Sequence, residues 1–219
     1  MLGAQKVSGI IYIRGRDNPN LSLPKDIPTV FIDREPPGQA GKNTLFIESD
    51  HFQGGYLAAQ EMIFKGCKTI AVMTGKRETS AAKKRLEGCR KACEEQGLSL
   101  GPVFYPAAAK FEEAFAELCA RLSQGAVFDG ILCENDWVAL GALRALAVHG
   151  RQVPSQVKVC GFDDVSIACV SSIPLTTVRQ DTDALGKQAA RGILELIRGE
   201  VPETRRIVLP VSLLRRAST

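Results

Sequence analysis

An α/β fold built on parallel sheets is predicted by three features of the chain. Short apolar, β-branched runs alternate with amphipathic stretches, glycines stand where those stretches end, and two apolar runs finish in carboxylate, guanidinium and amide groups. Strand patterns that alternate with helical ones form parallel sheets covered by helices on both faces. With 219 residues, 45% of them hydrophobic, the chain can bury a real core in one large domain or two lobes.

Taken in order, residues 7–13, 29–32 and 44–47 read as the first three strands. An amphipathic stretch at 52–65 follows, with Asp50 placed to cap it and Gly66 to end it. The strand at 69–73 leads to a helix at 80–96, bounded by Ser80 and Gly97. A strand at 103–105, a helix at 111–124 ending at Gly125, and a strand at 130–133 come next. Asp136 is placed to cap a helix at 136–149 that stops at Gly150. Residues 157–162 form the most buried-looking strand, 174–178 another, and a helix at 183–198 opens at Asp181 or Thr182 and ends at Gly199. No internal repeat or low-complexity segment interrupts the pattern.

Composition excludes several functions. The net charge of +4 is spread out, and neither the basic run Lys83, Lys84, Arg85 nor the pair Arg215, Arg216 has the length of a nucleic-acid-binding tail. Seven cysteines, an odd number without a CxxC pair, read as free thiols in a reducing cytosol. The only histidines, His51 and His149, stand far apart and read as surface or cap residues, so no metal is expected. Nothing points to a cofactor. No apolar stretch is long enough to span a bilayer, and the start MLGAQKVSG lacks a signal peptide's apolar core. The GLSLG at 97–101 fits the GxSxG pattern of hydrolases, but a helix precedes it and a strand follows, the reverse of a nucleophile elbow. It reads as a helix-to-strand turn. Residues 74–76 lack the rest of a P-loop, and no enzyme is expected.

Ligands of parallel α/β sheets bind beyond the carboxyl ends of the strands. The strand at 157–162 ends in Asp163 and Asp164, and that at 174–178 delivers Arg179, Gln180 and Asp181. Asp163, first after a buried strand, is the leading candidate contact, with Gln180 next. Asp164 reads as a turn cap and Arg179 as solvent-facing. Adjacent acids at a strand end tend to point apart, which argues against an acid–base pair.

The order and spacing of FIDRE (31–35), SDHFQGG (49–55), RLEG (85–88), ENDWVALGALRAL (134–146), GFDD (161–164) and PLTTVRQD (174–181) carry a family resemblance. The chain resembles the effector-binding domain of the LacI family of bacterial transcription regulators, which has the two-lobed periplasmic-binding-protein-like fold. The resemblance covers essentially all of residues 1–219 and implies a first lobe at about 1–66 and 177–199 and a second at about 67–176 and 200–219. Family members carry a helix-turn-helix, a hinge helix and two strand–helix units before the strand matched by 7–13. The first lobe is therefore expected to be incomplete, in a truncated product that binds no operator by itself. Residues 7–13 would then form an open sheet edge, an association hazard unless covered.

The resemblance further implies a cytoplasmic homodimer that closes its lobes on a small sugar-like effector and meets DNA only through the missing N-terminal domain, with no membrane partner. The alternative is a solute-binding protein of a sugar transport system. Hydroxyl-rich effectors suit carboxylates that accept, an arginine fork that donates, and amides that do both. Arg85 matches the family's ligand-facing arginine. Asp33, Arg34 and Gln53 match cleft positions, although Arg34 reads equally as a surface ion pair and Gln53 as a solvated first-turn residue. Asn135 is preferred over Asp136, read as the cap, and Trp137 offers either a stacking face or helix packing. One departure stands out: where the family places a stacking aromatic, this chain has Ala107, Ala108, Ala109 and Lys110.

Overall fold

The computed structural model describes residues 7–13, 26–33, 42–75, 79–200 and 204–219. Arg34 and Lys76 lie outside them. The chain divides into two compact units, Met1–Asp50 with Asp181–Pro210, and His51–Gln180 with Val211–Thr219.

In the first unit, β1 (Ile10–Ile13), β2 (Thr29–Ile32), β3 (Thr44–Ser49) and β9 (Arg206–Leu209) form one parallel sheet in the order β1-β2-β3-β9. Helix α6 (Thr182–Ile197) covers it with Leu185, Ala189, Ile193 and Leu196, a stripe at helical spacing that packs on Val30, Ile32, Leu45 and Ile47. Among the described residues β1 is an edge strand, with Ile13 70% exposed.

The second unit is built on a six-stranded sheet in the order β10-β8-β7-β6-β4-β5. Its strands are β4 (Ile70–Met73), β5 (Val103–Phe104), β6 (Gly130–Cys133), β7 (Lys158–Asp163), β8 (Thr176–Gln180) and the antiparallel edge β10 (Val211–Leu214). Side chains alternate strictly between its faces. Ile70, Val72, Leu132, Cys160 and Phe162 pack under α1 (His51–Phe64) and α2 (Ser80–Glu95). Ala71, Met73, Ile131, Cys133 and Val159 pack under α3 (Phe111–Ser123), α4 (Asp136–Val148) and α5 (Ser166–Val170). All five glycines expected to stop helices, Gly66, Gly97, Gly125, Gly150 and Gly199, have positive φ.

The units part at positions that differ from those read off the sequence. α1 packs on α2 in the second unit, where the sequence reading gave it to the first lobe. Two motif glycines explain the contact. A Cβ on Gly55 would lie 2.0 Å from the carbonyl oxygen of Arg85, and one on Gly88 would lie 2.0 Å from that of Phe52. Only hydrogen at these positions lets the two helices approach so closely. The ending RIVLPVSLLRR likewise splits. Pro210 has no N–H for a ladder, so β9 stops there in the first unit and β10 begins beside β8 in the second.

The GLSLG segment forms the turn between α2 and β5, as expected. Cys67, Cys89, Cys93, Cys133 and Cys160 are buried free thiols, while Cys169 is exposed. Burial, with Asp129 adding to it, pushes the Cys67 thiol up to about 11, and burial with Cys93 pushes Cys89 up to about 12. Because the thiolate is the reactive form, a maleimide should modify Cys169 first in the native protein and reach the buried five only on unfolding. Peptide mass spectrometry checks this, and early labelling of Cys89 would contradict it.

Candidate functional site

In the second unit, β6, β7 and β8 end side by side, and their carboxyl ends carry the polar groups. Asp163 closes β7 with φ 105° and Asp164 follows with φ 58°. Left-handed backbone costs a non-glycine residue about 1–3 kcal/mol and persists where the surroundings over-determine it, often at functional sites. The two carboxylates point to different partners, as expected of neighbours at a strand end. Asp163 Oδ1 accepts from Gln180 Nε2 at 2.7 Å. Asp164 accepts from Arg179 Nε at 2.7 Å and from Arg216 Nη2 at 2.6 Å. Burial raises the Asp164 carboxyl, but these two arginines outweigh it and hold the group below its ordinary range. Asp164 is thus a clamp between β8 and Arg216 rather than a turn cap, and Arg179, exposed as expected, also pairs with it.

Arg85, on the second turn of α2, reaches over the same strand ends. Its Nε donates to His51 Nδ1 at 3.3 Å, and Nη2 lies 3.3 Å from that same nitrogen. Nη1 donates to the Glu134 carbonyl oxygen. Nη2 also sits 3.8 Å from Asp163 Oδ1. The guanidinium carbon lies 3.5 Å from the centroid of the Phe162 ring, a cation–π contact. Beneath it is a small cavity of about 30 Å³, lined by Arg85, Phe162, Thr74 and three buried cysteines among others. Gln180 keeps one buried oxygen, Oε1, without a hydrogen-bond partner. Such an orphan acceptor is costly unless something binds it.

The capping roles at the start of α4 are the reverse of those expected. Asn135 is the N-cap: its Oδ1 accepts from Val138 N at 2.8 Å, while its Nδ2 donates to the Ala109 carbonyl at 3.3 Å. Asp136 is instead fully buried, accepting from Thr177 Oγ1 at 2.6 Å and from Val165 N at 2.8 Å. Its carboxylate fills the space where a Cβ on Gly161 would stand, 2.1 Å away, which explains the glycine of GFDD. Similarly Thr79, not Ser80, caps α2.

Burial pushes Asp136 up to about 6, with Asp163 and Asp164 adding to the rise and the two hydrogen bonds opposing it. The folded state therefore holds this proton more tightly than the unfolded chain does. The group's contribution is full below its unfolded value of 3.8 and is lost as pH rises through about 6. Asp136→Asn, which can keep both contacts by turning the Thr177 hydroxyl, should remove this dependence. In denaturant unfolding, wild type should lose about 2–3 kcal/mol relative to the variant between acid and neutral pH. Parallel pH profiles would contradict the assignment.

Of the other sequence candidates, Trp137 is 50% exposed at the start of α4, and Gln53 is exposed on the first turn of α1. Asp33 belongs to the first unit, at φ 60°, where its Oδ1 accepts from Ser49 N at 2.9 Å. Arg85, Asp163 and Gln180 thus meet directly, with Asn135 next to the carbonyl that holds Arg85. Sequence reading missed His51, Glu134 and Phe162. His51, expected at a surface or cap, is 1% exposed. His149 is the C-cap of α4. Among the described residues, no cluster of His, Cys, Asp or Glu could hold a metal ion, and no helix is long and apolar enough to cross a membrane.

Comparison with known proteins adds a family. Residues 59–219 match the model of the periplasmic binding protein-like domain. The transcriptional repressor PurR of Haemophilus influenzae is 33% identical over 202 residues, which cover 90% of this chain and 59% of the relative. The transcriptional regulator CelR of Thermobifida fusca is 30% identical over 221 residues, 99% of this chain and 65% of the relative. This chain therefore spans about 59–65% of the length of these relatives. Among solved structures, a CelR–cellobiose complex matches with TM-score 0.84 and 29% identity over 100% of this chain and 68% of that one. The Lac repressor bound to ONPG matches with TM-score 0.83 and 28% identity, over 100% of this chain and 66% of that one.

Proposed function

This chain belongs to the periplasmic binding protein-like domain family, and from that premise we propose that it is the effector-sensing part of a LacI-type transcription regulator, tuned to a sugar. The observation that carries the reading is the convergence of Arg85, Asp163 and Gln180 beyond the carboxyl ends of β7 and β8, with the Gln180 Oε1 left unpartnered. Two neighbouring hydroxyls can donate, one to that oxygen and the other to Asp163, while either accepts from Arg85. Asn135 and Gln53 are proposed as further contacts, and Trp137 as a flat apolar face. The cellobiose and ONPG of the two matched structures support a sugar rather than an ion or a peptide.

The same reading makes the protein a cytoplasmic homodimer without catalytic activity, with operator binding assigned to a helix-turn-helix outside these residues. Val170 on α5, 72% exposed beside the half-exposed Ile167, supports a subunit contact there. A thermal-unfolding screen of mono- and disaccharides tests the function. At about a hundred times its Kd, a true effector adds about 2.7 kcal/mol and raises Tm by several degrees. If no saccharide moves Tm and an unrelated metabolite does, the sugar reading falls.

A further inference from the structure

Arg85 is held by one residue that the site's ligand chemistry does not account for. Arginine remains protonated at any pH the fold survives and has no acceptor. An imidazole nitrogen that receives its N–H must therefore carry a lone pair. His51 Nδ1 faces both Nε and Nη2 of Arg85, at 3.3 Å each, so the ring proton belongs on Nε2. The ring is 1% exposed and lies tilted against Phe162, with centroids 6.0 Å apart, on the residue that also stacks under the guanidinium. His51 and Phe162 thus form a two-sided mount. One supplies the acceptor and the other the face, while the Glu134 carbonyl fixes the far nitrogen.

We propose that His51 is the positioning residue of Arg85, and that a proton on its ring releases the guanidinium and weakens effector binding. The charged groups around the ring give the sign. From α2 it faces the Arg85 cation, which disfavours a second positive charge. From β7, Asp163 lies 3.8 Å from the same Nη2 and already serves as counter-charge to the guanidinium. The Glu134 carboxylate is taken up by Thr74 Oγ1 at 3.1 Å and by Gly75 N. A second proton would turn the Nδ1 acceptor into a donor aimed at another donor. Arg85 would have to leave, and its fork would no longer point where Asp163 and Gln180 converge. The site therefore loses affinity on acidification, by up to about tenfold per pH unit once the His51 ring takes its second proton.

This deepens the effector-site reading and rests on it for its consequence, so the test has two arms. The chain has only two histidines, so a ¹⁵N-labelled protein carrying His149→Gln reports His51 alone. Near neutral pH the spectrum should show the Nε2–H tautomer, together with an exchange-protected Arg85 Nε–H signal identified by its loss in Arg85→Lys. Acidification should remove that signal at the midpoint of the His51 titration. His51→Asn, whose Oδ1 can stand in for Nδ1 without titrating, should keep the signal at every pH; His51→Ala should lose it throughout. A proton on Nδ1, or an Arg85 signal indifferent to both His51→Ala and acidification, overturns the proposal. In the second arm, calorimetry with cellobiose, or with the best saccharide of the screen, should show affinity falling with acid in wild type and flat in His51→Asn. A flat wild-type profile also overturns it. If no saccharide binds while the spectral midpoints coincide, the effector reading fails and the His51–Arg85 mount stands.

Discussion

Replacing Asp163 by asparagine should weaken effector binding by about thirtyfold while leaving the free protein folded, since losing one partner of a charge pair that a bound ligand buries costs about 2 kcal/mol or more. The carboxylate provides two things together: the acceptor for Gln180 Nε2 and the counter-charge for Arg85. Asparagine keeps the size of the side chain and tolerates the left-handed backbone at φ 105°, so the fold has no new strain to absorb. Its amide can still satisfy Gln180 but cannot balance the guanidinium. The loss should therefore appear in calorimetric affinity and not in the melting temperature of the free protein. Unchanged affinity would remove Asp163 from the site. A large drop in the free protein's Tm would make its role structural.

The second large effect is on stability. Gly88→Ala should destabilise the second unit by about 3 kcal/mol or more, because overpacking against backbone has little room to relax. The added Cβ would meet Phe52 O at 2.0 Å and Tyr56 N at 2.8 Å, both on α1. Separating α1 from α2 also pulls His51 away from Arg85, so effector binding should fall with stability. Gly186→Ala is the control. That glycine lies within α6 with nothing inside 4 Å of the added carbon, and helix propensity alone should make the change neutral or favourable by up to about 1 kcal/mol. Thermal unfolding of both variants decides the matter. Equal behaviour would mean that the close crossing of α1 and α2 does not hold the unit together.

Much of this architecture was legible in the chain because parallel sheets write themselves plainly. Their strands are short apolar runs, their helices end in glycine, and their ligands sit where the strands stop. Asp163 and Gln180 could be picked out on that ground alone. What escaped the reading depends on tertiary detail. Asn135 and Asp136 are both good caps. Which one caps depends on a single residue of loop length after β6, and the other is then turned into the core toward Thr177. α5 has five residues, too few to show a helical period. His51 looked like a surface residue because nothing local reveals that Arg85, far along the chain, comes to rest on its ring. The glycines of SDHFQGG, RLEG and GFDD were visible as a pattern, but the reason for each is a backbone or carboxylate from another element. Pro210 was equally plain in sequence, yet only the pairing of β9 with β3 and β10 with β8 shows it handing the chain from one unit to the other.

The most direct measurement is amide hydrogen exchange across the whole chain, with and without the saccharide that stabilises it best. The account predicts slowed exchange in the peptides that hold Arg85, Glu134 to Trp137, Asp163 with Asp164, and Gln180. It predicts that this protection is lost in Asp163→Asn. Protection confined to other surfaces, or protection that survives the substitution, would contradict it.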